Sequence, residues 1–361
     1  MLAARAPLAH RQTGRLGSGP ALGPKYVRFM GCGWRATPWR TDMQAHIVPV
    51  GNLANQMLQL AFMDALQQQL PGLQIGGVDL PIWQIRRDLP VSPAAQRLRF
   101  FGQYVDREWL LGLLQRGWLQ DFEFAALGFR MANFDRERVK RLFPPTPTVA
   151  QALAHDELLI NVRGAETLDN VHVDYGPLPL HYLRQLVETT GLRPVLMGQI
   201  GSDWYSDALR ETFSGCREIS SQGIREDFEI IRAAPHIAMS LSSFSWLACW
   251  LSGAQTIHMP LVGIFNPAQR PDIDLLPVDD PRYRFYEFEV RRWAASEPQI
   301  GALSTAGHWP QLTTPQVEAK LAAAANRLAP MQRRYRLKLL AALAKQRAGF
   351  HARVGNRAPP A

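Results

Sequence analysis

The 361-residue chain contains no run of eighteen or more apolar residues, so no segment reads as a membrane-spanning helix. Its first forty residues begin basic but hold no continuous apolar stretch, and Gly and Pro punctuate them, which excludes an ordinary signal peptide and predicts disorder. Cysteine is scarce. Cys32, Cys216 and Cys249 form an odd set without metal-ligand or redox spacing, which argues against a disulfide framework and fits a reducing cytoplasm. Clusters of His, Asp and Glu at metal-ligand spacing are also missing, and no D-x-D stands at a strand end, so neither a metal nor another cofactor is expected. The chain shows no internal repeat.

What is there is unevenly charged. Residues 1–41 carry seven Arg/Lys and no carboxylate, and residues 332–361 carry eight and none. With those fifteen set aside, the net charge of +9 becomes −6 for the body. A folded nucleic-acid reader interleaves basic residues with aromatics over its ordered surface, and this body does not, so no nucleic-acid partner is expected. The basic ends either hold the protein at an anionic membrane surface, on the inner face, or are solvated tails. Met43, just ahead of the first strand-like run, is an alternative translation start.

The length suits two cores. Ala45–Val50 reads as a strand, Gly51-Asn52 as a turn, and Gln56–Leu70 as a helix. Between Ile82 and Phe143 the apolar residues follow helical spacing, as in Trp109, Leu110, Leu113, Leu114 and Trp118, and read as core. Pro144, Pro145 and Pro147 mark a boundary. Beyond it β-like and helical runs alternate: Leu158–Val162, a helix around Leu180–Thr189, Pro194–Met197, a helix around Trp204–Phe213, and then Glu226–Ala234. His236–Leu241 and Thr256–Met259 flank a helix starting near Ser245. This alternation predicts an α/β fold whose parallel strands present a ligand site at their carboxyl ends. Pro315 to Phe350 reads as one or two terminal helices, with Pro330 as the break. The expected division is a basic tail over 1–41, α/β domains over 42–150 and 151–310, and terminal helices with a basic tail over 311–361.

Four segments can carry chemistry. In Gly51–Ala61 (GNLANQMLQLA), Gly51 permits close backbone approach, while Asn52, Asn55 and Gln56 offer amides at a helix N-terminus, where an anion or a sugar hydroxyl is favoured. In Leu158–Glu166 (LLINVRGAE), Arg163 ends a strand, where its guanidinium can grip a diphosphate with two prongs. In Asp227–Leu251 (DFEIIRAAPHIAMSLSSFSWLACWL), a strand delivers Ser242, Ser243 and Phe244 to a tight turn before a helix, again suited to phosphate; an N-capping Ser pair would read the same. After Pro194–Met197, Gln199 and Asp203 could touch a nucleoside, or Ser202 or Asp203 could cap a helix.

These strings resemble the α-1,2-fucosyltransferase family of bacterial-type, GDP-fucose-dependent enzymes. GNLANQMLQLA is similar to its G-x-L-x-N-Q-M-x-Q-x-A opening, LLINVRGAE to its H-x-R-R-x-D motif, and the 227–251 block to its D-x-x-x-(L/M)-S-x-(C/A)-…-S-S-F-S-W-W. The resemblance covers roughly residues 45–70 and 157–265. It implies a GT-B-like α/β fold, two Rossmann-like domains with parallel sheets facing a deep cleft. It also implies inverting transfer of fucose from GDP-fucose to a hydroxyl of a glycan or a lipid-linked glycan. Arg163 would then meet the donor phosphates, Asp227 the guanine edge, and Ser242, Ser243 and Phe244 the phosphates, with Gly51, Asn52, Asn55 and Gln56 on the acceptor side. Departures are visible: Asn161, counted among the donor-binding residues, stands for His, Gly164 for the second Arg, Glu166 for Asp, Arg232 for Ser and Leu247 for the second Trp. Glu166, His172 and Asp174 are the candidates for a general base. The same fold with another sugar nucleotide, or a non-catalytic sugar- or nucleotide-binding protein, remains an alternative.

Overall fold

The computed structural model describes residues 43–90, 97–146, 153–349 and 352–355. The expected basic tail over 1–41, and Cys32 within it, lie outside the described residues. A first lobe begins with β1 (Met43–Ile47), α1 (Leu53–Gln69) and β2 (Leu73–Gly76), followed by a small antiparallel pair, β3 (Val78–Leu80) and β4 (Ile85–Arg87). β5 (Leu98–Gly102), α2 (Arg107–Gln115), β6 (Asp121–Ala126) and α3 (Arg136–Leu142) follow. The order in this sheet is β14-β5-β6-β1-β2, where β14 (Ala352–Gly355) comes from far along the chain, and every pairing is parallel. Leu98, Phe100, Phe122 and Phe124, on its buried face, have no solvent exposure, and Phe62 of α1 stacks on Phe124 at 4.9 Å.

The second lobe runs β7 (Glu157–Val162), α4 (Leu180–Thr190), β8 (Arg193–Gly198), α5 (Trp204–Thr212), β9 (Arg217–Ile219), α6 (Ile224–Ala233) and β10 (His236–Ala238). It continues through α7 (Ser243–Leu251), β11 (Thr256–Leu261), β12 (Tyr283–Glu287), α8 (Glu297–Leu303) and β13 (Gln311–Leu312). The order is β13-β12-β11-β10-β7-β8-β9, parallel throughout except for the last-made edge strand β13. The chain therefore winds outward from β7 through β8 to β9. It then returns to the other side of β7 and winds outward again through β10, β11 and β12. This is the doubly wound order whose crevice lies between the two strands where winding reverses, here β7 and β10. The α/β class and the two parallel sheets expected from the sequence are both present.

Several local expectations need correction. Ile82–Phe143 is not helical throughout: α2 buries Leu110, Leu113 and Leu114 as its spacing requires, but β5 and β6 flank it and Trp118, 40% exposed, lies beyond its end. Pro330 does not break the terminal helix. α9 (Thr314–Arg347) runs through it for 34 residues, opened by a Thr313–Gln316 capping box with Pro315 in the first turn. An interior proline costs about 3 kcal/mol. Leu328 before it and Tyr335, Leu339 and Leu343 after it are buried, and each contributes roughly 1.5–3 kcal/mol, which outweighs that cost. The basic residues after 331 are likewise not simply a solvated tail: Arg336 pairs with Asp106 at 2.7 Å and lies over the Trp109 ring.

The two lobes meet along a stitched seam inside one compact unit. Arg136 of the first lobe donates to the carbonyls of Trp250 and Ser252, both at 2.6 Å, and so caps the C-terminus of α7, where free carbonyls and the helix dipole favour a cation. Arg232 donates to the Phe143 carbonyl at 3.0 Å, which gives a physical reason for Arg at that position. Met131 N–H donates to the Asp274 carbonyl at 2.7 Å across the seam, and Asp274 N–H donates to the Phe129 carbonyl at 2.9 Å. No helix among the described residues is long and apolar enough to cross a membrane.

Candidate functional site

At the switch point the chain leaves β7 through Asn161, Val162 and Arg163. Asn161 is buried, and its side-chain oxygen accepts from Ser240 Oγ at 2.7 Å, so it ties β7 to the turn after β10 and is a strut before it is a ligand contact. Arg163 lines the same small cavity as Asn161, Ser240 and Leu241, about 10 Å³ and so sized for roughly one water. Its guanidinium pairs with the half-exposed Glu166. Its Nε is buried and, among the described residues, has no partner. A buried unpaired donor costs about 1–3 kcal/mol, a cost that an incoming acceptor would remove.

Gly164, where the resemblance has a second arginine, is explained by its neighbour. A Cβ there would stand 2.7 Å from the Gln199 carbonyl oxygen, and the Gly164 N–H donates to Gln199 Oε1 at 3.2 Å. No side chain fits unless the β8 turn moves. That turn is itself fixed by Gly198, whose φ of +124° and whose Cβ position, 2.4 Å from the Val162 carbonyl, admit only glycine. Gln199 also reaches Glu166 at 3.4 Å, so it organises the Arg163 turn from the next strand. Asp203 accepts from the N–H groups of Tyr205 and Ser206, the capping role.

On the other side of the switch, β10 leads into a knot of hydroxyls. Ser240 N–H donates to Ser245 Oγ at 3.1 Å, and Ser242 Oγ caps α7 by accepting from Ser245 N–H at 3.0 Å. Ser242 is buried, so its hydroxyl already has its work. Ser243 is half-buried and points across the seam, where its Oγ donates to Asn55 Oδ1 at 2.6 Å. The two resembling segments thus meet, Asn55 at the start of α1 and Ser243 at the start of α7. At this point the two lobes are bridged by a side-chain hydrogen bond. Phe244 packs edge-on against Phe228 at 5.4 Å, a hydrophobic role away from the hydroxyls.

The remaining expected residues are placed less directly. Gly51 takes φ +68°, and Asn52 is the N-cap of α1 without a side-chain bond. Gln56 folds back to the Gly51 carbonyl at 3.2 Å. Asp227 is half-buried in the first turn of α6 and accepts from Ser221 Oγ at 2.5 Å and Gln222 N–H at 3.1 Å, so its carboxylate organises its own loop. Asp174, expected as a base in a solvated loop, is buried: Arg270 donates to one oxygen at 2.7 Å and Gln269 to the other at 2.8 Å. Both oxygens thus take part in a buried network that ties Asp174 to the Arg270 loop. His172 is half-buried and its Nδ1 accepts from Asp174 N–H at 3.2 Å. Burial lowers its pKa and Arg270 adds to this, while Asp174 opposes it. The imidazole is therefore neutral at pH 7, with Nδ1 as the accepting nitrogen and the ring proton on Nε2.

Sequence reasoning missed the residues that hold this arrangement in place. Arg270 is fully buried, with Asp272 as a second carboxylate at 2.8 Å and Gln103 of the first lobe as a further partner. Burial alone would lower its pKa; Asp272 and Asp174 carry it above the ordinary range. Tyr175, close enough to feel both Arg163 and Arg270, has its phenol pushed up to about 12 by burial. Gln59, a fully buried amide in an otherwise apolar stretch of α1, donates to the Val48 and Phe124 carbonyls and accepts from Val50 N–H, fixing the loop that carries Gly51. A glutamine inside the apolar QMLQLAF run was the available signal. Among the described residues no three His, Cys, Asp or Glu side chains gather in a metal-holding arrangement.

Fold and site together define a doubly wound α/β protein with an arginine and a hydroxyl-rich helix start at its switch point. No family model matches the chain, and no curated protein matches it in sequence. Among solved structures it is similar to a mutant of Arabidopsis thaliana FUT1 in complex with GDP, at 12% identity over 60% of this chain and 70% of that one, with a TM-score of 0.37. It is also similar to E. coli heptosyltransferase WaaC with ADP, at 13% identity over 79% of this chain and 98% of that one, with a TM-score of 0.33.

Proposed function

We propose that the protein is a sugar-nucleotide glycosyltransferase of GT-B type, with GDP-fucose as the first candidate donor and a glycan or lipid-linked glycan as acceptor. The observation that carries the reading is the meeting of Arg163 and the Ser240–Ser245 turn at the carboxyl ends of β7 and β10, where doubly wound sheets hold nucleotides. An arginine that exchanges a half-exposed glutamate for a diphosphate gives up little, because such surface pairs contribute about 0–1 kcal/mol. In return the orphaned Nε gains an acceptor. The N-terminus of α7, which follows the same turn, would add its partial positive charge.

As the glycosidic bond breaks, charge collects on the leaving diphosphate, and Arg163 and the start of α7 stabilise it there. Glu166 once released from Arg163, or His172 through Nδ1 once freed from the Asp174 N–H, would accept the proton of the acceptor hydroxyl. We expect no metal to take part: activity should survive EDTA, and full loss restored by manganese or magnesium would refute this. The decisive experiment is a thermal-shift screen of sugar nucleotides, because a ligand bound only by the native state raises the melting temperature. GDP-fucose should stabilise most; a larger shift from another sugar nucleotide would reassign the donor, and no shift from any would end the transferase reading.

A further inference from the structure

A second recess lies at the carboxyl edge of the same sheet, two strands from the switch point, and shares no residue with it. It is a pocket of about 270 Å³ bounded by the ends of β11 and β12, the loop after β11 and one face of α9. Lys320 and Arg327 project from that face two helical turns apart, and Ala323 between them leaves the space open. Glu287, at the end of β12, is bound to Lys320 at 2.5 Å. Phe288 and Val290 form an apolar wall, with Val290 57% exposed.

These features select a ligand class. Two cations against one carboxylate favour an anion over a neutral or cationic guest, and Arg327 offers the planar fork that fits phosphate or carboxylate. Glu287 can accept hydroxyl donors, and Phe288 can lie against the C–H face of a ring. Size sets the upper limit: sites for drug-sized molecules run about 300–1,000 Å³, so this one suits a single sugar ring and not a whole sugar nucleotide. We propose that the Lys320–Arg327–Glu287 pocket is a binding site for an anionic monosaccharide, phosphorylated or carboxylated.

The site has a route to the seam. Arg327 holds the Ala268 carbonyl at 3.0 Å, and the same loop supplies Gln269 and Arg270, which grip Asp174 and reach Gln103 of the first lobe. An anion that draws Arg327 away releases one anchor of that loop. The proposal concerns binding and does not rest on the transferase reading.

The test is calorimetric titration of the full chain with a panel of hexose 6-phosphates, and in parallel with glucuronate, glucose and inorganic phosphate. At least one hexose phosphate, or glucuronate, should bind about tenfold or more tightly than glucose or inorganic phosphate, and the better of the two acids identifies the anionic group. Lys320→Met with Arg327→Met should weaken that binding by about tenfold or more while circular dichroism stays unchanged. Absence of binding across the panel, equal binding of inorganic phosphate, or undiminished binding by a folded double variant would overturn the proposal. If the variant fails to fold, Arg327→Met alone with the same titration decides.

Discussion

Two arginines of the second lobe, Arg163 and Arg270, are both at least partly buried and both face carboxylates, yet their surroundings differ in kind. Arg270 is 2% exposed and held by Asp174 and Asp272, with Gln103 added from the other lobe. Arg163 is 24% exposed, has one half-exposed glutamate partner, and keeps a buried Nε without one. A charge that deep inside must be fully paired, since removing one member of a buried pair costs about 3–5 kcal/mol. A charge with a loose partner and an orphaned donor has capacity to spare. The first is architecture that fixes where the lobes meet; the second is available for chemistry.

The comparison breaks most visibly at Arg270. Arg270→Met would strand two buried carboxylates, and denaturant titration should show a loss of about 3–5 kcal/mol, a large share of a typical domain's 5–15 kcal/mol. A loss under about 1 kcal/mol would mean that the network is dispensable and the contrast false. Arg163→Ala should do the reverse, leaving stability within about 1 kcal/mol while turnover with the identified donor falls about a hundred- to a thousandfold. Arg163→Lys should restore little, because a point charge does not reproduce the planar contact. Near-normal turnover in the folded alanine variant would make Arg163 a surface residue. The smallest effect belongs to the seam: Asn55→Ala removes one hydrogen bond to Ser243 and should cost about 1 kcal/mol, with donor affinity changed by no more than about fivefold. A change of a hundredfold would make Asn55 itself a donor contact.

Much of this is legible in the sequence. Strand-to-helix punctuation at Gly51 and Ser242–Ser243 placed α1 and α7 within a few residues, because turn and cap chemistry is local. Alternation after residue 157 points to the class of the second lobe, and Arg163 and the serines follow strand-like runs in the sequence. What escaped depends on contacts distant in sequence. Nothing local shows that Asp174 is claimed by Arg270 about a hundred residues on, or that Asn161 is claimed by Ser240. Phe100 and Phe122 lie in short strands whose register exists only against neighbours, so their spacing could be taken for a helix. Pro330 was a sound local stop signal, overridden by burial on either side.

The pairing of β14 with β5, Ala352 beside Leu98, also bears on how the molecule is made. A ribosome delivers the first lobe early, but its edge strand comes only after α9 has been synthesised. Until then β5 presents an unpaired row of backbone donors and acceptors, the kind of edge that recruits foreign strands. The second lobe has all seven of its strands once Leu312 has emerged, so it can close around its switch point while its elder neighbour is still unfinished.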